Sequence, residues 1–172
     1  MRLFLIVILL FFNHDSFADA MSVCYGTTDN GALKNGWQLP SSGPNFEAYS
    51  VIGVAAGRNY VHSLVHTVVV ESYRTLETSQ PDKHFMYGET GWRKGGRFKP
   101  HKTHQNGLSI DFFVPVINKE GESVALPINV FNKLGYNIEF SSHGKYEDYT
   151  IDFDAMANHL LALKKGADKQ GI

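Results

Sequence analysis

Apolar residues recur at Val61, Leu64, Val65, Val68, Val69, Tyr73 and Leu76, a spacing close to one helical turn. That period predicts an amphipathic helix from about Asn59 to Ser79, with Pro81 just beyond its end. Met156, Leu160 and Leu163 form a second stripe, predicting a helix from Asp154 to Lys165. Asp154 suits its N-cap, Lys164 and Lys165 complement the dipole, and Gly166 suits the position after the last turn. Runs rich in β-branched and aromatic residues predict strands at His84–Tyr87, Leu108–Val116, Tyr136–Phe140 and Tyr149–Phe153. Alternation in Leu108–Val116 puts Leu108, Ile110 and Phe112 on one face and Ser109, Asp111 and Phe113 on the other. Residues 21–50, rich in Gly, Pro, Ser and Asn, read as an irregular segment pinned by Trp37, Leu39, Phe46 and Tyr49. Gly88 to Gly107 reads as a long loop carrying Arg93, Lys94, Arg97, Lys99 and Lys102. The class this implies is α+β, a small antiparallel or mixed sheet flanked by helices, with no internal repeat.

The N-terminus follows a different pattern. Met1-Arg2 precedes ten unbroken apolar residues, Leu3 to Phe12, and a polar stretch leads to Ala18-Asp19-Ala20. This is the layout of a cleaved secretory signal over residues 1–20. Ten residues span only ~15 Å as a helix, about half a bilayer core, so stable membrane insertion is not expected. The remaining residues 21–172 suit one domain. Without Arg2, Asp15 and Asp19 that domain carries 15 basic and 15 acidic residues and is formally neutral. A nucleic-acid binder would need a basic surplus, so that class is excluded. The single cysteine, Cys24, has no partner within the chain, and the sequence leaves the oligomeric state open.

Chemistry concentrates in Pro100-His101-Lys102-Thr103-His104-Gln105-Asn106-Gly107-Leu108-Ser109-Ile110-Asp111. Two histidines lie three apart, and a carboxylate follows the second by seven residues. Gly107 permits a tight turn between them. A loop histidine converging on a strand aspartate in an exported protein is a reasonable zinc site. The competing reading is a pair of solvated histidines beside an ordinary hydrogen-bond acceptor.

The run from His104 to Asp111 resembles the His-x6-Asp metal motif of the penicillin-insensitive murein endopeptidases. These belong to the superfamily named for lysostaphin, D-Ala-D-Ala peptidases and sonic hedgehog. Gly88-Glu89-Thr90-Gly91-Trp92, Gly95-Gly96, Pro100-His101 and Asp111-Phe-Phe-Val-Pro-Val116 extend the resemblance. It implies a periplasmic zinc hydrolase that cuts D-amino-acid peptide cross-links in peptidoglycan. His104 and Asp111 would be Zn2+ ligands, and His101 a neighbouring or substrate-contacting catalytic histidine. Asp152, in a Thr-Ile-Asp-Phe run that also resembles the group, would be a carboxylate orienting a ligand histidine, with a strand-end turn as its plainer reading. The family's His-x-His pair near the C-terminus has no counterpart among these residues. The expectation is therefore an incomplete domain with weakened zinc binding. A non-catalytic peptidoglycan binder and an exported zinc D,D-carboxypeptidase are the alternatives.

Other histidines offer rival sites. His62 and His66 stand i, i+4 on the predicted helix, as in a zinc helix, but Ser63 occupies the place of the general-base glutamate. They read as structural or cleft-wall residues. His143 sits in a Ser-Ser-His-Gly loop, His84 precedes a predicted strand, and His159 lies mid-helix; none has a spacing that singles it out.

Overall fold

Phe46 and Tyr73 stack almost parallel, ring centroids 4.2 Å apart, at the centre of the core. Around them pack Leu39, Val61, Val69, Leu76, Phe85 and Tyr87, with Ala155 and Ala162 from the last helix. The computed structural model describes residues 20–172, so all but the last residue of the predicted leader lies outside the described residues. No helix among the described residues is long and apolar enough to cross a membrane.

The fold is α+β and mixed. An antiparallel hairpin opens it, β1 (Val23–Gly26) with β2 (Gly31–Lys34). Next, β3 (Trp37–Gln38) pairs antiparallel with β5 (Tyr60–Val61). The parallel pair is β4 (Phe46–Ala48) with β6 (Phe85–Tyr87). Finally β7 (Val116–Ile117), β8 (Ser123–Val124), β9 (Lys145–Tyr146) and β10 (Tyr149–Ile151) form a sheet in the order β8-β7-β10-β9. The helices are α1 (Val51–Ala55), α2 (Ser63–Ser79) and α3 (Phe153–Lys169).

Residues 21–50, expected to be irregular, carry four short strands, although Leu39 and Phe46 do pin them to the core. Helix α2 begins four residues later than the period suggests, because Tyr60 and Val61 are drawn into pairing with β3. Leu108–Val116 is not one regular strand. It runs extended beside residues 86–89 through Gly88 N–H to Asp111 O (2.7 Å), Asp111 N–H to Glu89 O (3.0 Å) and Phe113 N–H to Met86 O (3.0 Å). Only Phe112 bridges Tyr87 in ladder geometry. Tyr136–Phe140 is no strand either; it follows a tight turn at Lys133–Gly135, where the side chains of Asn129 and Asn132 take up the backbone N–H groups.

Asp152, not Asp154, caps α3, its carboxylate accepting the Ala155 N–H at 2.9 Å. The buried face of that helix is Ala155, His159, Ala162 and Gly166, whereas Leu160 is 59% exposed. Of the expected stripe, Leu163 packs against the core and Met156 is half-buried, so only Leu160 falls off the packed face. Gly166 does not end the helix: a Cβ there would lie 3.2 Å from Val68 O, so its lack of a side chain lets α3 close on α2.

Candidate metal centre

Two glycines let the His104 segment reach its place. Gly107 has φ +77°, and a Cβ there would stand 2.8 Å from His62 N and 2.7 Å from Leu33 Cδ2. Gly107 O accepts the His62 N–H at 2.9 Å, tying the turn to the start of α2. At Gly91 a Cβ would lie 2.7 Å from His104 O. His104 itself takes φ +71°, a left-handed conformation that costs a non-glycine residue on the order of 1 kcal/mol. Tertiary contacts hold it there, and its side chain is 2% exposed.

His104 Nδ1 lies 3.3 Å from Ser109 O. A carbonyl only accepts, so this contact places the proton on Nδ1 and leaves a lone pair on Nε2. That lone pair faces Asp111 Oδ2 across 3.3 Å. Two electron-rich atoms at this distance need a proton or a cation between them. Ligands bound at ~2.0–2.1 Å in a tetrahedron are separated by roughly 3.3 Å, so the gap matches one edge of a zinc site. In the metal-free ring, burial works against the charged form. The Asp111 hydrogen bond and charge, the Ser109 carbonyl and Glu89 outweigh it and hold the His104 pKa above its ordinary value.

His101, expected from the sequence to neighbour the ion or contact substrate and not to bind the metal, lies close enough to offer a third donor. Its ring, the Nε2 of His104 and a carboxylate oxygen of Asp111 offer three ligand atoms within 4.8 Å of one another. Among the described residues this is the group of three such side chains that could hold an ion. Asp111 is 55% exposed while His104 is enclosed, so the group opens to solvent on the carboxylate side. The donors suit zinc: two imidazoles and one carboxylate, the minimum protein set of a catalytic site.

Behind His101 stands a buried carboxylate. Glu89, 8% exposed, lies 3.7 Å from His101 Nε2 and pairs with Arg58 at 3.0 Å. The Tyr49 hydroxyl donates a short hydrogen bond to the same Glu89 oxygen. Burial first, and then this bond to a carboxylate, push the Tyr49 phenol well above its ordinary pKa, so it stays a donor. Arg58 also lies 4.1 Å over the Phe98 ring, and Phe98 is wholly buried between His101 and His104, its centroid 5.7 and 5.6 Å from theirs. The sequence motif pointed to His104 and Asp111 but gave little sign of this Tyr49–Arg58–Glu89 group; Glu89 beside the glycines of 88–91 was its one trace.

A cleft of about 350 Å³ opens beside the donors, walled by Tyr49, Phe113, Leu134 and Tyr136. The Tyr136 hydroxyl lies 3.5 Å from both His101 nitrogens. Burial and the negative charges of Asp111 and Glu89 raise its pKa, keeping the phenol protonated.

The remaining candidates are elsewhere. Asp152 pairs with Lys83 at 2.6 Å and caps α3, contacts that fit the plainer turn reading. His62 is the N-cap of α2, its Nδ1 accepting the Leu64 N–H, and so it does not project beside His66 from one helix face. His66 packs edge-on against Trp37. His84 lies 3.8 Å from Glu47, and His143 is exposed beside Ser142. His159 is buried against Tyr73, Phe85 and Phe112. Cys24, on β1, is a half-buried free thiol.

An enclosed imidazole and an open carboxylate sharing one edge, beside an open cleft, form with His101 a group that could hold a metal ion. The sequence profile of the penicillin-insensitive murein endopeptidases matches residues 24–133, more than half of the chain and all three donors, and the chain belongs to that family. No curated protein gives a significant match.

Proposed function

We propose that this protein is a zinc-dependent endopeptidase that cuts D-amino-acid peptide cross-links in peptidoglycan after export to the periplasm. The observation that carries the reading is the His101–His104–Asp111 donor set, with its 3.3 Å imidazole–carboxylate edge, opening into the cleft. Membership of the murein endopeptidase family supports the peptidase class and the cell-wall substrate. His101, His104 and Asp111 would hold the ion. Bound there, zinc would polarise the scissile carbonyl and bring the pKa of water toward ~7.

The chain's own residues do the rest. The Ser109 carbonyl fixes the His104 ring so that Nε2 points at the site. Glu89, held by Arg58 and Tyr49, orients His101. Tyr136, protonated and at the open side, donates a hydrogen bond to a peptide carbonyl lying against His101. Tyr49, Phe113 and Leu134 give the apolar walls that small stem-peptide side chains such as D-alanine would contact.

The test is zinc content together with digestion of purified cross-linked muropeptides. Conversion of dimers to monomers, stopped by a chelator and restored by zinc, is the expected result. Removal of terminal D-Ala from monomers with dimers untouched would show a carboxypeptidase, and binding without any hydrolysis would show a non-catalytic relative; either outcome refutes the endopeptidase reading.

A further inference from the structure

A second recess of about 380 Å³ lies on the far side of the 127–137 loop, within the size range of small-ligand sites. Its walls come from two separate elements. Phe131 projects from the loop, and Tyr146 and Tyr149 come from β9 and β10. Asn137 and Glu147 add polar groups. We propose that this recess binds the glycan backbone of peptidoglycan, taking a β-linked N-acetyl amino sugar. The proposal rests on the murein-substrate reading above.

Three observations select a sugar. First, three aromatic residues line one recess, and an aromatic ring can stack on the C–H face of a pyranose. Phe131 is 91% exposed yet stands on a fixed platform. The side-chain Oδ1 of Asn129 accepts the Phe131 and Asn132 N–H groups at 2.8 and 3.1 Å, and the Asn132 side-chain amide donates to Pro127 O at 2.8 Å. Tyr146 is set by Phe140, whose ring meets it edge-on at 6.0 Å. Second, the polar wall is made of amides and one carboxylate, with no lysine or arginine, which suits hydroxyl and acetamido groups and disfavours an anion. The Asn137 side chain is exposed and makes no hydrogen bond to another described residue, leaving both its donor and its acceptor for a ligand.

Third, the position is right. Tyr136 walls the metal-side cleft and its neighbour Asn137 lines the recess, so one thickness of chain separates the two. Such a wall is on the order of 5–10 Å thick. A stem peptide of a few residues spans ~3.3–3.6 Å per residue when extended, enough to lead from a sugar in the recess to a cross-link at the donors. Sugar binding here would set which bond along the stem arrives at the site.

The probe is the tetramer of β-1,4-linked N-acetylglucosamine, titrated by calorimetry into chelator-treated protein. Metal-free conditions separate this test from the catalytic reading: a protein that hydrolyses nothing can still bind the tetramer. Saturable binding below about 10 mM is expected. Loss of one stacking face in Phe131→Ala should weaken it about five- to tenfold, with thermal stability unchanged because that ring is exposed. Asn137→Ala should weaken it too, and Tyr136→Ala, on the other side of the wall, should leave it as it was. No binding, or binding indifferent to Phe131→Ala and Asn137→Ala, overturns the proposal. So does a recess that takes an unglycosylated stem peptide and refuses the tetramer.

Discussion

His104 Nε2 and Asp111 Oδ2 face each other across 3.3 Å, one atom sealed in the protein and the other open to water. The pair is joined through six intervening residues of chain, yet its spacing depends on distant backbone: Gly91 beneath His104 and Gly88–Glu89 beside Asp111. Removing either ligand leaves two donors at most. His104→Ala and Asp111→Ala are each expected to weaken zinc binding by at least about 100-fold in calorimetric titration, while circular dichroism stays native-like. Unchanged zinc uptake in His104→Ala would sink the metal assignment.

Zinc affinity should rise with pH through the neutral range. The metal-free His104 pKa is raised, so its ion pair with Asp111 is fully formed below the ordinary histidine value of about 6.5 and is lost as pH rises through the raised folded-state value. Zinc needs the deprotonated ring, so protons compete with it to a higher pH than at an ordinary histidine. Titrations between about pH 5.5 and 8.5 should show this, and Asp111→Asn should move the remaining proton competition to lower pH. A flat profile contradicts the geometry.

Glu89 acts through His101. Glu89→Gln keeps the shape but removes the charge; it should cost about 10- to 100-fold in zinc affinity and lower the melting temperature less than Glu89→Ala does, because the amide oxygen can still accept from Arg58. Glu89→Ala should also destabilise the fold by about 3 kcal/mol, because it strands the Arg58 guanidinium, whose side chain is only 19% exposed. Equal zinc affinity in wild type and Glu89→Gln would remove Glu89 from the site.

Burial among aromatic rings pushes the His159 pKa down to about 4, and its Nε2 has no hydrogen-bond partner among the described residues. The folded-state value lies below the unfolded one, so the protein is fully stable above about pH 6.5 and loses stability as pH falls toward 4. The loss should reach about 2–3 kcal/mol by urea unfolding, and His159→Phe should abolish most of it. A variant as acid-sensitive as the wild type would show that other groups set this dependence.

Gly107→Ala should destabilise the fold by about 2 kcal/mol or more, since it meets both a positive φ and a contact of 2.8 Å with backbone. Because Gly107 anchors the turn after His104, zinc affinity should fall with it.

The closeness of His104 and Asp111 was legible in the sequence because an imidazole, a glycine turn and a carboxylate fall within one short run; that His101 stands near enough to join them as a donor was not. The core period of α2 was legible for a similar reason, since Val68, Val69, Tyr73 and Leu76 all face inward. Features set by distant partners were not. Asp152 caps α3 locally, through Ala155, but its ion pair with Lys83 comes from 69 residues away, and no local pattern around Thr-Ile-Asp-Phe announces it. In α3 the close approach to Val68 requires Gly166, and the most buried positions are the small Ala155, Ala162 and Gly166 with His159, so hydrophobic size found Leu163 on the packed face but misplaced Leu160. Glu89 joins Tyr49 and Arg58 across 40 and 31 residues, which is why its place behind His101 emerges only in three dimensions.

Phe112 gives the molecule an unusual economy. One side of this residue rests on His159, and the next residue toward the N-terminus is Asp111. Interior and ligand are therefore adjacent links of a single chain, with no cushioning layer between them. A packing flaw introduced at the helix will be felt at the carboxylate within one peptide unit. Substitutions that loosen the centre of this protein and those that blunt its chemistry should consequently prove hard to tell apart by activity screens alone.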